Sequence, residues 1–207
     1  MKQELLSLDL FPLPVFQINN AITEEQCEDL RKFADTLQYH KNDAFHGYTL
    51  DLMEASTDKK ILDKLPEYKE YFENLLEDIS SEVLQQVGKF SVKTSWFTKA
   101  QKGQQSFFHT HKNYYMSGVL YLQEGSAIMF KNPLKVFESY DFYLKQQTAF
   151  NCKTTIINPP KNSILFFPAY LEHQIHPWGG SGFRYSLTMN YHPVGEYGTS
   201  YSSIELK

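Results

Sequence analysis

The chain has 207 residues, 42% apolar and 21% charged, a composition that excludes wholesale disorder and predicts one packed domain. Its net charge of −4 argues against a surface built for nucleic acid, and no apolar run reaches the roughly 18 residues of a membrane span. Two cysteines far apart in sequence, Cys27 and Cys152, make neither a disulfide framework nor a cysteine-type zinc site. We therefore expect a reduced, cytoplasmic protein.

The first 88 residues predict a strand followed by helices. Residues 10–17 read as a short strand, and Thr23 with Gln26 forms a capping box that begins a helix ending near residue 38. Residues 39–56 are expected to be irregular. A second helical region covers 57–87, resumes at a proline and stops at a glycine, and its apolar stripe consists of Tyr68, Tyr71, Leu75, Ile79, Val83 and Val87.

From residue 89 onward the pattern favours β-structure. Turn residues separate short runs rich in β-branched and aromatic residues, at 89–99, 105–112, 117–123, 126–130, 153–158, 163–168, 173–177 and 182–191. Strands at this spacing indicate a barrel or sandwich, so the expected fold is mostly β with N-terminal helices. We expect a single domain over 1–207, with supporting elements at 1–88, a β core at 89–192 and a C-terminal tail at 193–207.

A long segment, 131–151, interrupts the β-rich half. Its aromatic residues are too numerous for a linker, and they are Phe137, Tyr140, Phe142, Tyr143 and Phe150. Two interpretations stay open at this point. The segment is either a lid over a pocket mouth or a loop packed on the outside of the barrel.

Two histidines form an H-x-H pair within the run SFFHTH. In a strand, side chains at i and i+2 point to the same side, so His109 and His111 would project together. Imidazole is the commonest neutral metal ligand and suits iron, copper, zinc and nickel. His173 follows the apolar run SILFFP and is the candidate for a third ligand.

Arg184 is the one arginine in the second half of the sequence, where every earlier cation is a lysine. A guanidinium can hold a carboxylate by two parallel hydrogen bonds, which an ammonium cannot do. In the strand that begins at Arg184, polar residues alternate with apolar ones through Asn190. This polar face could either meet solvent or line a pocket inside a barrel.

The runs HTH, SGVLYL, SILFFPAYLEHQIHP and RYSLTMNY together resemble the iron(II)- and 2-oxoglutarate-dependent oxygenases, over about residues 89–192. Within that family the chain is most similar to the prolyl-hydroxylase-like branch, and to its oxygenases of the H-x-H…SGV-x-YL type from phages and bacteria. The resemblance implies a double-stranded β-helix, a jelly-roll barrel supported by helices.

The resemblance also implies a role for each matching residue. His109 matches the first histidine of the family's H-x-[DE] iron-binding motif, and His173 matches the distal iron ligand. Arg184 matches the arginine that binds the far carboxylate of 2-oxoglutarate. The residues that match groups assisting this arginine are Tyr121, Ser186 and Thr188.

His111 departs from the family pattern because it takes the carboxylate position of the motif. An imidazole there makes the site one charge more positive but is compatible with iron, so we expect His109, His111 and His173 to be the metal ligands. Two alternatives stay open. His111 could lie beside the metal without binding it, or the motif could be shifted so that His111 comes first and Asn113 takes the carboxylate position.

The implied reaction uses Fe(II), 2-oxoglutarate and O₂ to hydroxylate a C–H bond, with a peptidyl or free amino acid such as proline favoured as substrate. Beyond 2-oxoglutarate and the substrate, no membrane partner is expected, and the acidic net charge disfavours nucleic acid. Three rival hypotheses are a three-histidine cupin-type dioxygenase that does not use 2-oxoglutarate, a non-catalytic jelly-roll binding module, and a β-sandwich interaction protein with incidental histidines.

Overall fold

The computed structural model describes residues 12–41, 51–134 and 142–207. Its N-terminal elements are β1 (Phe16–Ile18), α1 (Glu24–Asp35), β2 (Tyr39–Lys41), β3 (Glu54–Ser56), a 3₁₀ turn (Ile61–Lys64) and α2 (Pro66–Glu82). The remaining strands are β4 (Lys89–Ala100), β5 (Met116–Tyr121), β6 (Ile128–Lys131), β7 (Thr154–Ile157), β8 (Ile164–Pro168), β9 (His173–Ile175), β10 (Arg184–Tyr197) and β11 (Ile204–Leu206).

The strands form two antiparallel sheets. The larger has the order β1-β8-β5-β10-β4-β3-β2, with β11 added to the far end of β10, and the smaller has the order β7-β6-β9. Because strands close in sequence alternate between the sheets, the two sheets form the jelly roll of a double-stranded β-helix, as the sequence predicts.

Two apolar cores lie on opposite faces of the larger sheet. One packs α1 and α2 against the sheet and includes Cys27, Leu30, Phe72 and Leu76. The other fills the space between the sheets and consists of Val119, Tyr121, Ile128, Phe130, Leu165, Phe167, Leu171 and Ile175. The molecule is thus layered as helices, large sheet and small sheet.

Strand β10 connects these layers through its alternating side chains. Tyr185, Leu187, Met189 and Tyr191 belong to the helix-side core, so Arg184, Ser186, Thr188 and Asn190 face the other sheet. All four are buried, at 1–6% exposure. The polar face of this strand therefore lies inside the barrel, and its solvent-facing interpretation is wrong.

The capping box of α1 is present as predicted. The Gln26 backbone N–H donates to Thr23 Oγ1, and the Thr23 N–H donates to Gln26 Oε1. The helix ends at Asp35, slightly earlier than expected, since the Thr36 hydroxyl donates to the Phe33 carbonyl oxygen. Among the described residues, no helix combines the length and the apolar character needed to cross a membrane.

The predicted end of α2 at Gly88 is wrong. The helix ends at Glu82, because Gln85 takes a left-handed backbone conformation with φ of 53° and the Gln86 N–H closes back onto the Ser80 carbonyl oxygen. Val83 and Val87 consequently lie outside the helix and are exposed. The buried positions of α2 are Phe72, Leu76, Ile79 and Ser80.

Three further predictions also need correction. Residues 39–56 contain β2 and β3, which extend the large sheet beyond β4. Residues 105–112 form no strand and make isolated bridges instead, including one between His109 and His173. The expected tail at 193–207 carries the end of β10 and its hairpin partner β11.

Candidate functional site

Three histidine rings meet between the two sheets. One ring nitrogen from each of His109, His111 and His173 lies within 4.8 Å of the other two. Backbone hydrogen bonds hold the loop that carries the first two. His109 exchanges two with His173, at 2.9 and 3.0 Å, and the His111 N–H donates to the Ala169 carbonyl oxygen at 2.8 Å.

The backbone fixes the tautomers of two of these rings. Nδ1–H of His109 donates to the Phe107 carbonyl oxygen at 2.8 Å, and Nδ1–H of His173 donates to the Leu171 carbonyl oxygen at 2.9 Å. In a neutral imidazole the other nitrogen then carries the lone pair. Both residues therefore direct Nε2 toward the cluster as a metal ligand would.

His111 lies between other rings. It stacks on Trp96 with centroids 5.5 Å apart and on His173 with centroids 5.1 Å apart. Burial lowers the pKa of all three imidazoles, that of His111 to about 3. Three neutral imidazoles at one point make a donor set that fits iron(II), so the site passes the chemical test for the implied metal.

Arg184 is a buried cation without a carboxylate partner among the described residues. Its Nε donates to Ser126 Oγ at 2.8 Å and its Nη2 to Ser186 Oγ at 3.4 Å, while Nη1 has no hydrogen-bond partner. The hydroxyl of Tyr121 is also buried and unpartnered. Burial lowers the pKa of Arg184 to about 10, and it raises the pKa of Tyr121 against the opposing charge of Arg184.

Unsatisfied buried donors are rare and costly, so these atoms call for an acceptor that the chain itself does not provide. A carboxylate offers four lone-pair positions and would satisfy both the guanidinium and the phenol. The residues therefore fit the far carboxylate of 2-oxoglutarate.

A cavity of about 550 Å³ opens onto the three histidines. Ser186, Thr188 and Asn190 line it from β10, and Ser186 Oγ, which contacts Arg184, shares a 2.6 Å hydrogen bond with Thr98 Oγ1. The structure thus brings His109, His111, His173, Ser186 and Thr188 to one cavity and places Arg184 and Tyr121 in the buried layer beside it.

Several cavity residues were not predicted from the sequence. Trp96 lies on β4, His40 and Glu54 come from the region expected to be irregular, and Lys59 comes from the start of the region expected to be helical. His40 reads as a surface-loop residue in the sequence. No local signal identifies it, because it reaches the cavity through the pairing of β2 with β3 at the sheet edge.

Asn113, the alternative ligand in the shifted motif, and Glu172 are not part of the cluster of three histidines. Asn113 is exposed, with a left-handed φ of 69°. Glu172, next to His173 in sequence, pairs with Lys131 at 3.1 Å. His46 lies outside the described residues.

The segment 131–151 is described in part. Phe137 and Tyr140 lie outside the described residues, and none of the described residues of the segment lines the cavity. Phe142, Tyr143 and Phe150 are exposed rather than packed into the barrel wall.

Solved structures share this fold. HygX from Streptomyces hygroscopicus, determined with nickel, 2-oxoglutarate and hygromycin B bound, is 10% identical over 87% of this chain and 83% of its own, with a TM-score of 0.60. A Pseudomonas putida prolyl-4-hydroxylase is 16% identical over 88% of this chain and 94% of its own, with a TM-score of 0.57. A Burkholderia pseudomallei oxidoreductase of the 2OG-Fe(II) oxygenase family is 10% identical over 86% and 84%, with a TM-score of 0.59.

Sequence comparison finds one family model that resembles part of the chain. No curated protein sequence matches the chain significantly. The family model described as "Putative 2OG-Fe(II) oxygenase" matches residues 94–190, the stretch that holds the three histidines, Tyr121 and Arg184. The match covers 97 residues, just under half of the chain, and over this stretch the sequence is similar to the iron(II)- and 2-oxoglutarate-dependent oxygenases.

Proposed function

We propose that the protein hydroxylates a C–H bond of a peptidyl or free amino acid, with proline the first candidate, while 2-oxoglutarate is converted to succinate and CO₂. When bound, iron(II) would activate O₂, which is the oxidant, and one of its oxygen atoms would enter succinate and the other the hydroxylated substrate. His109, His111 and His173 would hold the metal. Arg184 and Tyr121, with Ser186 and Thr188 nearby, would bind the far carboxylate of 2-oxoglutarate.

The unpaired guanidinium of Arg184 is the observation that carries this proposal. A buried cation is unfavourable unless an anion meets it, and the described residues offer no carboxylate to Arg184. A dicarboxylic cosubstrate would bring the missing charge. Its other end would reach the histidine cluster through the cavity that Ser186 and Thr188 line.

The histidine residues would act by orientation as well as by binding. The Phe107 and Leu171 carbonyl oxygens fix the ring planes of His109 and His173, so little rotational freedom is lost when these residues bind a metal. The apolar surroundings of the cluster, including Phe130 and Phe167 against His173, keep competing water from the rings.

The substrate class rests on the resemblance to the prolyl-hydroxylase-like branch and on the shared fold of the Pseudomonas putida prolyl-4-hydroxylase. The cavity of about 550 Å³ has room for 2-oxoglutarate and a side chain of moderate size. The net charge of −4 disfavours a nucleic-acid substrate, and free thiols at Cys27 and Cys152 favour a reducing cytoplasm.

A second candidate is a three-histidine dioxygenase that works without 2-oxoglutarate. The observation in its favour is His111, which stands where a carboxylate ligand is expected. Arg184 argues against it, because its buried guanidinium stands where the resemblance places the far carboxylate of 2-oxoglutarate.

Anaerobic binding measurements test the function directly. Iron(II) should bind the parent protein, and calorimetry should then detect 2-oxoglutarate binding that depends on the metal. His109→Ala and His173→Ala should each lose iron(II) binding while still melting cooperatively. His192→Ala is the matched control, since it removes a histidine of β10 that does not line the cavity. Undiminished iron binding by both histidine variants would refute the metal site.

A further inference from the structure

Asn190 makes the side-chain hydrogen bond that orients His111. Its Nδ2 lies 3.0 Å from His111 Nδ1 and 3.2 Å from Thr94 Oγ1, and its Oδ1 accepts from Ser117 Oγ at 2.7 Å. Asn190 is 2% exposed, and its hydroxyl partners lie opposite it on the neighbouring strands β4 and β5. The carboxamide is therefore held on both sides.

This orientation gives His111 a different tautomer from the other two rings. An amide nitrogen can donate but not accept, so His111 Nδ1 accepts and the proton of the neutral ring lies on Nε2. That nitrogen is 3.3 Å from His173 Nε2 and donates to it. With this tautomer, the lone pair that a metal would need on His111 Nε2 is replaced by a proton.

A rotation of the Asn190 carboxamide by half a turn would let the proton leave His111 Nε2 without the loss of a hydrogen bond of Asn190. Both outer partners are hydroxyls, which donate and accept equally well. After the half-turn, Oδ1 would accept from His111 Nδ1–H and from the Thr94 hydroxyl, while Nδ2 would donate to Ser117 Oγ. No hydrogen bond of Asn190 is lost, and His111 keeps its charge because one proton moves from Nε2 to Nδ1.

We propose that Asn190 is the positioning residue for the third metal ligand, and that its amide oxygen holds His111 in the Nδ1–H tautomer when Nε2 binds the metal. The inference rests on the proposed function. It also accounts for how a histidine can serve at the carboxylate position, because Asn190 and the stacked Trp96 contact the ring that replaces the shorter side chain.

Cobalt(II) affinity, measured anaerobically, tests this role without turnover. Asn190→Leu removes the acceptor at similar size and should weaken cobalt binding roughly 10–100-fold, the usual effect of losing an outer-shell partner of a metal ligand. Asn190→Asp keeps the shape and always presents oxygen, so it should bind cobalt at least as tightly as the parent. Loss of affinity in the Asp variant equal to that in the Leu variant would overturn the proposal.

A double-mutant cycle separates positioning from general structure. In a His111→Ala background, Asn190→Leu should weaken cobalt binding no further, because Asn190 acts through His111. Equal weakening in both backgrounds, or none in either, overturns the inference. Ser95→Ala is the control for destabilisation, since its buried hydroxyl accepts from the Leu62 N–H rather than from a group near His111.

Nitrogen-15 NMR of the zinc-loaded protein gives an independent readout. His111 should carry its proton on Nδ1 and the metal on Nε2, and a proton found on Nε2 refutes the tautomer assignment. A parent protein that binds neither cobalt nor zinc removes the proposed function and this inference together. Normal metal binding that is insensitive to Asn190 removes this inference alone.

Discussion

The buried charge of Arg184 should lower the stability of the ligand-free fold and raise the affinity for a carboxylate ligand. The guanidinium is 1% exposed and leaves Nη1 without a partner, so burying it opposes folding when no anion is bound. The same desolvation strengthens its attraction for a carboxylate that enters the site. Stability and ligand affinity should therefore respond in opposite directions to its removal.

Arg184→Met tests this opposition. Because the variant replaces an unpaired cation by an apolar chain of similar length, we expect its melting temperature without ligand to equal or exceed that of the parent. Its affinity for 2-oxoglutarate should fall by about 2–5 kcal/mol, as when one side of a buried charge pair is truncated. Calorimetry and thermal melts give the two values.

Arg184→Lys completes the comparison. It keeps a charge but loses the bidentate geometry, so its affinity should lie between those of the parent and Arg184→Met. If 2-oxoglutarate binds both variants as tightly as the parent, the assignment of Arg184 to the cosubstrate site is wrong. The hypothesis of a three-histidine dioxygenase that does not use 2-oxoglutarate is then favoured.

His111→Asp restores the family pattern and should keep both iron(II) binding and succinate formation. A carboxylate is a good ligand for this metal and returns the missing negative charge. His111→Ala provides no ligand atom and serves as the comparison. Iron(II) titration checks the result, and an Asp variant that binds iron as poorly as the Ala variant would contradict the placement of His111 among the ligands.

The sequence identifies candidate site residues but not the residues that support them. His109, His173 and Arg184 are candidates because of their residue types, their spacing and the resemblance to the oxygenase family. Asn190 and Trp96 contact His111 because β10 pairs with β4 and β5 in a particular register. A single sequence does not specify which residues face each other across such pairs.

At the scale of elements, the alternation of polar and apolar residues predicts which face of a strand is polar more reliably than it predicts where a strand forms. The alternation in β10 correctly separates polar from apolar residues, because both faces of that strand are covered. The run 105–112 looks equally β-rich but lacks a continuous partner strand and pairs at isolated bridges. Its two histidines still converge because the Ala169 and His173 backbones hold them.

The end of α2 gives a test at this scale. Leu76→Ala should destabilise the protein by about 2–5 kcal/mol, since it leaves a cavity in the helix-side core. Val87→Ala should change stability by less than about 0.5 kcal/mol, because the side chain is fully exposed beyond the helix. Urea unfolding measures both, and comparable losses would mean that the helix continues toward Gly88.

At the scale of the whole molecule, ligand binding should appear as added stability. The site lies between the two sheets, so metal and 2-oxoglutarate would contact groups from both and bind the unfolded chain poorly. At a concentration 100 times its Kd, 2-oxoglutarate should add about 2.7 kcal/mol, and a domain of this size should gain roughly 5–10 °C in melting temperature. Thermal melts with iron(II), with and without 2-oxoglutarate, measure this gain.

The control for that measurement is 2-oxoglutarate without metal. If the proposed chelate forms, the gain should require iron(II) and should disappear in Arg184→Met. A gain of the same size without metal would indicate that the anion binds elsewhere.

The two faces of β10 have a consequence for how this protein can change over evolutionary time. Up to Tyr191, odd-numbered positions of the strand pack against the helices, and from Ser186 to Asn190 the even-numbered positions line the cavity that holds the three histidines. Substitutions at even positions can alter chemistry while the helix-side packing persists, so new specificities can arise one position at a time. A one-residue insertion near Arg184 would exchange the two sets, and such length changes should be confined to the turns that flank the strand.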